Sequence, residues 1–308
     1  LLLFFYMGNN QKKRNKKGLK TIAIHHGKSY ADETGCVMPP IFATSTFEHG
    51  NKANFDYTRS GNPNFSILEN VLKGIENSNY CTVFNSGISA VTAIVSSLKS
   101  GDTILCESNL YGCTIRMFEK IFRKFGIQTS YFDFTNKEYI QQISKVKPSL
   151  IWLESPTNPL LKILNLKEIC SEANLRKIPV VVDNTFCTAV IQKPLELGAT
   201  LSLISTTKFI NGHSDALGGA VITNDESWNN KMIFSQKSLG LNPSPFDCWL
   251  ITRGLKTLPL RIAQQTENAY FIANELNSHK LIDQLIYPFN KNHPQFELAK
   301  SQMKIGGS

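Results

Sequence analysis

Short continuous apolar runs alternate with longer segments of helical period through the middle of the chain. Residues 65–75 place apolar side chains at three- and four-residue intervals and predict a helix. Residues 81–84 predict a strand, a turn at Asn85-Ser86-Gly87 follows, and 88–98 are again helical. Strands are expected at 103–106 and 150–153, and helices at 116–125 and 166–176. The runs at 178–183 and 201–208 read as further buried strands, and 218–223 as another. This alternation predicts a mainly parallel sheet covered by helices. After Pro243-Ser244-Pro245 the strand signals stop, residues 246–278 are helical in pattern, and a second domain is expected to begin.

The two most informative runs end on charge. Asp183 closes the earlier one and Lys208 the later. Ligands of open α/β sheets sit at the carboxyl ends of the strands. An amine delivered there can form a Schiff base with an aldehyde cofactor, and a carboxylate can hold a heterocyclic nitrogen protonated. At roughly 3 Å and an effective dielectric of about 20, that carboxylate–pyridinium attraction is on the order of 5 kcal/mol, enough to move a proton equilibrium by a few units. The chemistry indicated is that of pyridoxal phosphate.

Other segments supply what such a cofactor needs. Ser86-Gly87 opens a helix after a strand, where free amides attract anions. Ser205 and Thr207 place hydroxyl donors just before Lys208, so the two segments together form a phosphate cup. Glu154-Ser155-Pro156-Thr157-Asn158-Pro159 is a polar loop stiffened by two prolines, which aims Asn158. Tyr57-Thr58-Arg59 carries a phenol and an arginine suited to phosphate, and Tyr111-Gly112 an aromatic face for a planar ring. Ser205-Thr206-Thr207-Lys208 also fits the S-x-x-K pattern of serine acyl-enzymes. Its companion motifs fail at Ser214-Asp215-Ala216 and Lys256-Thr257-Leu258.

Composition and charge alter this picture little. The chain has 308 residues, 42% hydrophobic and 19% charged, ordinary for a globular protein with one large core and part of a second domain. Seven scattered cysteines with no C-x-x-C pair argue against a disulfide framework or a zinc site and point to a reducing cytoplasm. The six histidines show no H-E-x-x-H spacing, so no metal is expected. The net charge of +9 suggests nucleic acid until it is located. Lys12, Lys13, Arg14, Lys16, Lys17 and Lys20 supply six of those charges, leaving +3 elsewhere. They read as a solvated, disordered amino-terminal arm over residues 1–20, and neither a nucleic-acid nor a membrane partner is expected. The apolar start, residues 1–6, is too short for a membrane span and precedes its basic residues, the reverse of a secretory signal.

In combination the motifs Y-T-R-S-G-N-P, S-G before an apolar residue, Y-G-C-T, E-S-P-T-N-P, V-D-N-T-F, S-T-T-K-F-I-N-G-H-S-D and R-G-L-K-T-L resemble the Cys/Met-metabolism (trans-sulfuration) family of fold-type I pyridoxal-phosphate enzymes. The resemblance runs from about residue 21 to the end. It implies an aspartate-aminotransferase-like α/β fold: an N-terminal segment, 21–64, reaching a neighbouring subunit, a large cofactor domain, 65–245, and the start of an α+β C-terminal domain, 246–308. It implies that Lys208 bonds the cofactor aldehyde and shuttles protons, and that Asp183 pairs with the ring nitrogen. Tyr111 stacks on the ring and takes part in proton transfer, and Asn158 contacts its phenolic oxygen. Ser205, Thr207 and the amides of Gly87 and Ile88 hold the phosphate. Tyr57 and Arg59 reach the phosphate of a neighbouring subunit, which makes the active unit a homodimer, usually paired into a homotetramer. Arg116 falls where some γ-lyases contact substrate. The implied substrate is a small sulfur amino acid, attacked at its γ-carbon as by cystathionine γ-lyases or γ-synthases, with β-lyases and methionine γ-lyases as alternatives.

Two departures from the family pattern, Ile88 and Thr206, remove no functional group. The third is length: the family continues past residue 308 with an arginine that clamps the substrate carboxylate. The sequence is therefore expected to be a fragment with weak turnover or none, and a pyridoxal-phosphate-binding fragment without activity is the rival reading.

Overall fold

The computed structural model describes residues 17–27 and 35–304. Its centre is a seven-stranded sheet in the order β1-β7-β6-β5-β4-β2-β3. The strands are β1 (Tyr80–Phe84), β2 (Thr103–Glu107), β3 (Gln128–Phe132), β4 (Leu150–Glu154), β5 (Val180–Asp183), β6 (Leu201–Ile204) and β7 (Gly219–Thr223). From β3 to β6 all neighbours are parallel, whereas β7 runs antiparallel to both β6 and β1.

The helices are α1 (Leu19–His25), α2 (Pro63–Glu76), α3 (Gly87–Val95), α4 (Gly112–Lys120), α5 (Tyr139–Val146), α6 (Leu166–Leu175), α7 (Thr188–Ile191), α8 (Glu226–Ser238), α9 (Pro245–Leu255), α10 (Leu258–Leu276) and α11 (Phe296–Gln302). Local chemistry sets several starts. Asn62 caps α2 through its side chain, with Pro63 in the first turn, and Ser86, Asn165, Asp225 and Ser244 cap α3, α6, α8 and α9.

Both faces of the sheet are covered, so the central strands bury successive side chains in opposite directions. Along β4, Leu150 and Trp152 face a cluster built with Ala90, Ile94, Phe118, Trp228 and Met232. Ile151 and Leu153 face another, formed with Ile143 of α5 and Ile169 and Cys170 of α6. On β7, Val221 joins the first cluster, while Ala220 and Ile222 pack under α2 and α9. Cys248, Ile251 and Leu255 of α9 lie in one cluster with Phe65, Leu68, Leu72 and Ile75 of α2, so the helices that follow residue 245 begin against the sheet domain.

The run ending at Lys208 is strand only to Ile204, and Ser205 to Lys208 form the loop and turn beyond it. The helix expected over 116–125 is α4 followed by a 3₁₀ turn, Phe122–Phe125, closed by Gly126 at φ 82°. The edge strand β3, Gln128-Thr129-Ser130-Tyr131-Phe132, carries little apolar signal, and helix α5 is short, with Tyr139, Ile143 and Val146 on one face. Of the basic arm expected over 1–20, residues 1–16 lie outside the described residues, and Leu19 already belongs to α1.

Candidate functional site

The carboxyl ends of β2, β4, β5 and β6 deliver Glu107, Glu154, Asp183 and the Ser205–Lys208 loop to one edge of the sheet. Strands β5 and β6 are adjacent, with Asp183 opposite Leu203, so Asp183 and the loop carrying Lys208 leave the sheet side by side. Two contacts tie those exits together. The Ser205 amide donates to Thr185 Oγ1 at 2.8 Å, and the rings of Phe186 and Phe209 pack edge to face at 5.9 Å. Beyond Lys208, Arg261 Nη1 donates to the carbonyl of Phe209 at 2.7 Å and its Nη2 to that of Ile210 at 3.1 Å. Gly212, at φ +71°, lets this guanidinium approach, since a Cβ there would lie 2.0 Å from Arg261 Nη1. The Lys208 side chain itself is exposed.

Asp183 accepts the Thr185 amide at 3.0 Å. Burial pushes its carboxyl above the ordinary carboxylate value, opposed by the hydroxyl and amide of Thr185. A cationic ring nitrogen beside it would reverse that penalty.

The two distant segments expected to form a phosphate cup lie against each other. Ser86 Oγ caps α3 by accepting the Ser89 amide at 3.1 Å. A Cβ on Gly87 would lie 2.8 Å from Ser205 Cβ and 3.0 Å from its Oγ. Only glycine lets the start of α3 meet the loop after β6 so closely. Gly219 allows the third wall, where a Cβ would lie 2.2 Å from the Ser86 carbonyl. As the first residues of a helix, Gly87 and Ile88 have amides with no intrahelical acceptor, and the Ser205 hydroxyl lies close to Gly87. Those donors suit the phosphate of pyridoxal phosphate. Thr207 is engaged otherwise: its Oγ1 accepts the Gly218 amide at 3.0 Å and lies 3.2 Å from the Gly218 carbonyl. Its hydroxyl must leave that carbonyl to donate to a phosphate.

Tyr111 begins α4 with its side chain 42% exposed, its amide donating to Glu154 Oε2 at 2.7 Å. A hydrogen bond with Cys113 raises the Tyr111 phenol, against the pull of Arg116, so it stays protonated at neutral pH. Arg116 Nη1 lies 3.7 Å from Cys113 Sγ, which joins the three residues on the first turns of α4. Asn158 is exposed in the loop after β4, between cis peptides at Pro156 and Pro159.

Among the described residues, no hydrogen bond or ion pair joins Tyr57 or Arg59 to Asp183 or Lys208. Tyr57 and Arg59 line a cleft of about 450 Å³ with Ala43, Thr44, Ser45, Thr58, Asn242 and Pro245. There the Arg59 guanidinium lies 5.5 Å from the Tyr57 ring centroid and donates to the Lys237 carbonyl at 3.0 Å.

Thr185, Arg261 and Glu154 were not singled out from the sequence. Glu154 left a trace, since it ends an apolar run as Asp183 does. The other two act through contacts that sequence spacing does not show.

A carboxylate at the end of β5 and a lysine on the loop after the neighbouring strand β6, which meets the start of α3, suit an α/β enzyme that uses pyridoxal phosphate. The chain belongs to the Cys/Met metabolism PLP-dependent enzyme family, whose model matches residues 20–308. It is 40% identical over 294 residues to a probable cystathionine gamma-synthase of Herpetosiphon aurantiacus, covering 94% of this chain and 92% of that one. It is 40% identical to the cystathionine gamma-lyase of Homo sapiens over 92% of this chain and 71% of the relative. Among solved structures, cystathionine gamma synthase from Xanthomonas oryzae pv. oryzae, in complex with cystathionine, matches with a TM-score of 0.90 at 35% identity. That match covers 95% of this chain and 77% of that one. Among the described residues no helix is long and apolar enough to cross a membrane.

Proposed function

We propose that this protein acts on a small sulfur amino acid at its γ-carbon, as a trans-sulfuration enzyme of the cystathionine γ-lyase or γ-synthase type. The observation that carries the reading is the side-by-side exit of Asp183 and the Lys208 loop from β5 and β6. Similarity to enzymes named for both reactions supports it. Pyridoxal phosphate, when bound, supplies an electron sink for negative charge at a substrate carbon. Ser205 and the amides of Gly87 and Ile88 anchor its phosphate, and Asp183 keeps its ring nitrogen protonated. Lys208 would hold the cofactor through its aldehyde, and its Nζ would be the base that takes the α-proton of the substrate. Tyr111 covers the ring and holds a transferable proton on its phenol, Asn158 contacts the phenolic oxygen, and Arg116 orients substrate. Tyr57 and Arg59, which line a cleft together, serve the site of a neighbouring subunit in a homodimer or homotetramer.

The product assay separates the reactions. Cystathionine yielding cysteine, 2-oxobutyrate and ammonia supports the γ-lyase form. Net cystathionine formation from an O-acylhomoserine and cysteine supports the γ-synthase form. Pyruvate with homocysteine would move the chain to the β-lyases and overturn the γ-carbon reading. Borohydride should trap the cofactor on Lys208 and not in Lys208→Ala; an adduct mapped to another lysine refutes the assignment.

A further inference from the structure

Three carboxylic side chains end neighbouring strands, and each is engaged differently. Glu107 on β2 accepts the amides of Asn109 and Phe134 at 3.0 and 2.9 Å, shaping the turns after β2 and β3. Asp183 on β5 takes its contacts from Thr185 and keeps acceptor capacity for a ligand. Glu154 on β4 sits directly opposite Asp183 in the sheet register and is only 7% exposed. Its Oε2 accepts the Tyr111 amide at 2.7 Å, and its carboxyl also accepts a backbone hydrogen bond from Asn158.

Those two amides belong to the two residues assigned to the edges and face of the cofactor ring. Both side chains are exposed, so core packing does not fix their direction. Tyr111 stands at the start of α4 without a side-chain cap of its own. Its backbone, and with it the direction in which the phenol leaves the chain, is held from Glu154, 43 residues away. Asn158 is held from the same group.

Keeping a carboxyl here is costly. Burial, then the nearby Asp183, pushes Glu154 up to about 8, and the two amides pull the other way. Glutamine, the neutral isostere, has one acceptor oxygen where the carboxyl group has two to share between these amides.

We propose that Glu154 is a positioning residue that clips Tyr111 and Asn158 to the end of β4, so that one buried carboxyl sets both groups against the cofactor ring beside Asp183. The inference rests on the reading that Tyr111 and Asn158 face the cofactor. It predicts a graded series. Glu154→Gln keeps one acceptor oxygen and Glu154→Ala neither, while Glu154→Asp keeps the carboxyl but falls a methylene short.

The test is titration of each cofactor-stripped protein with pyridoxal phosphate, followed by the visible circular dichroism of the bound cofactor and steady-state kinetics. Glu154→Gln should fold with a near wild-type far-ultraviolet spectrum and bind the cofactor about 10-fold more weakly, and Glu154→Ala roughly 100-fold. Both should show a diminished or shifted visible dichroic band and a larger fall in kcat than rise in KM. Glu69→Gln, which alters a carboxyl that accepts the Val83 amide, should leave the band unchanged. The wild-type titration is read first: no uptake there refutes the cofactor reading itself. Wild-type uptake, with Glu154→Gln and Glu154→Ala binding within about twofold of wild type and an unchanged band, overturns the clip alone. Full recovery in Glu154→Asp also overturns it, because a carboxyl without the reach would then suffice.

Discussion

Two glycines open helices at this end of the sheet, and replacing each by alanine should have opposite effects. Gly87 is the first residue of α3 and Gly112 the first of α4, and neither has positive φ. Alanine at a compatible helical position typically stabilises by about 0.4–1 kcal/mol, because the unfolded chain loses freedom. Around Gly112 nothing lies within 4 Å of an added Cβ, so Gly112→Ala should collect that gain. At Gly87 the new methyl would stand 2.8 Å from Ser205 Cβ and 3.3 Å from its Cα. Neither atom is the free end of a flexible chain, and the Ser205 amide is bonded to Thr185. Either α3 or the β6 loop must shift, at roughly 1–3 kcal/mol for overpacking. The entropy gain is common to both, so the two variants should differ by the overpacking cost, about 1–3 kcal/mol. Urea unfolding of cofactor-stripped protein measures this without the stabilisation a ligand adds. The same shift spoils the donors of the anion cup, so Gly87→Ala should bind pyridoxal phosphate about 10- to 100-fold more weakly. A Gly87→Ala protein as stable as wild type with unchanged cofactor affinity would refute the close-approach argument.

Two further outcomes are expected. An Arg59→Ala protein dissociated and reassociated with a Lys208→Ala protein should regain activity above either parent, because one site of the hybrid combines both intact groups; hybrids shown to form yet no more active than the parents would place Arg59 in its own subunit's chemistry. Glu76, fully buried with neither carboxyl oxygen hydrogen-bonded, is pushed up to about 8 by burial, despite Lys193. The folded protein thus binds a proton that the unfolded chain releases above about 4.5, so the contribution of Glu76 is fully present below that pH and is lost as pH rises through about 8. Glu76→Gln should flatten that slope by up to a few kcal/mol in urea unfolding measured across the window, and an unchanged slope would show that Glu76 is ionised throughout.

Much of this protein is legible along the chain because it is local. Leucine, valine and isoleucine runs mark strands buried on both faces, and Asn62, Ser86 and Ser244 announce helix starts by side-chain capping. The chemical types at Asp183, Lys208 and Gly87 suffice to suggest an aldehyde cofactor with a phosphate. Strand β3 was missed because an edge strand, Gln128-Thr129-Ser130-Tyr131-Phe132, needs little apolar content when no partner covers its far side. The limit of β6 at Ile204 was missed because Ser205, Thr206 and Thr207 are compatible with extended strand, while Thr207 is held by the Gly218 amide across the loop.

Strand order is what only the tertiary structure decided. Pairing energy depends on which strands meet, and nothing in the residues from 150 to 208 states that β4, β5 and β6 lie consecutively in the sheet. That order puts Glu154 opposite Asp183 and lets Thr185 join Asp183 to Ser205. It also explains why Gly87 is glycine. The residue makes ordinary sense as a helix start in sequence, but the absent Cβ matters because Ser205, more than a hundred residues later, occupies that space. The sequence determines which groups are available for chemistry, and close packing of distant segments determines which of them share a site.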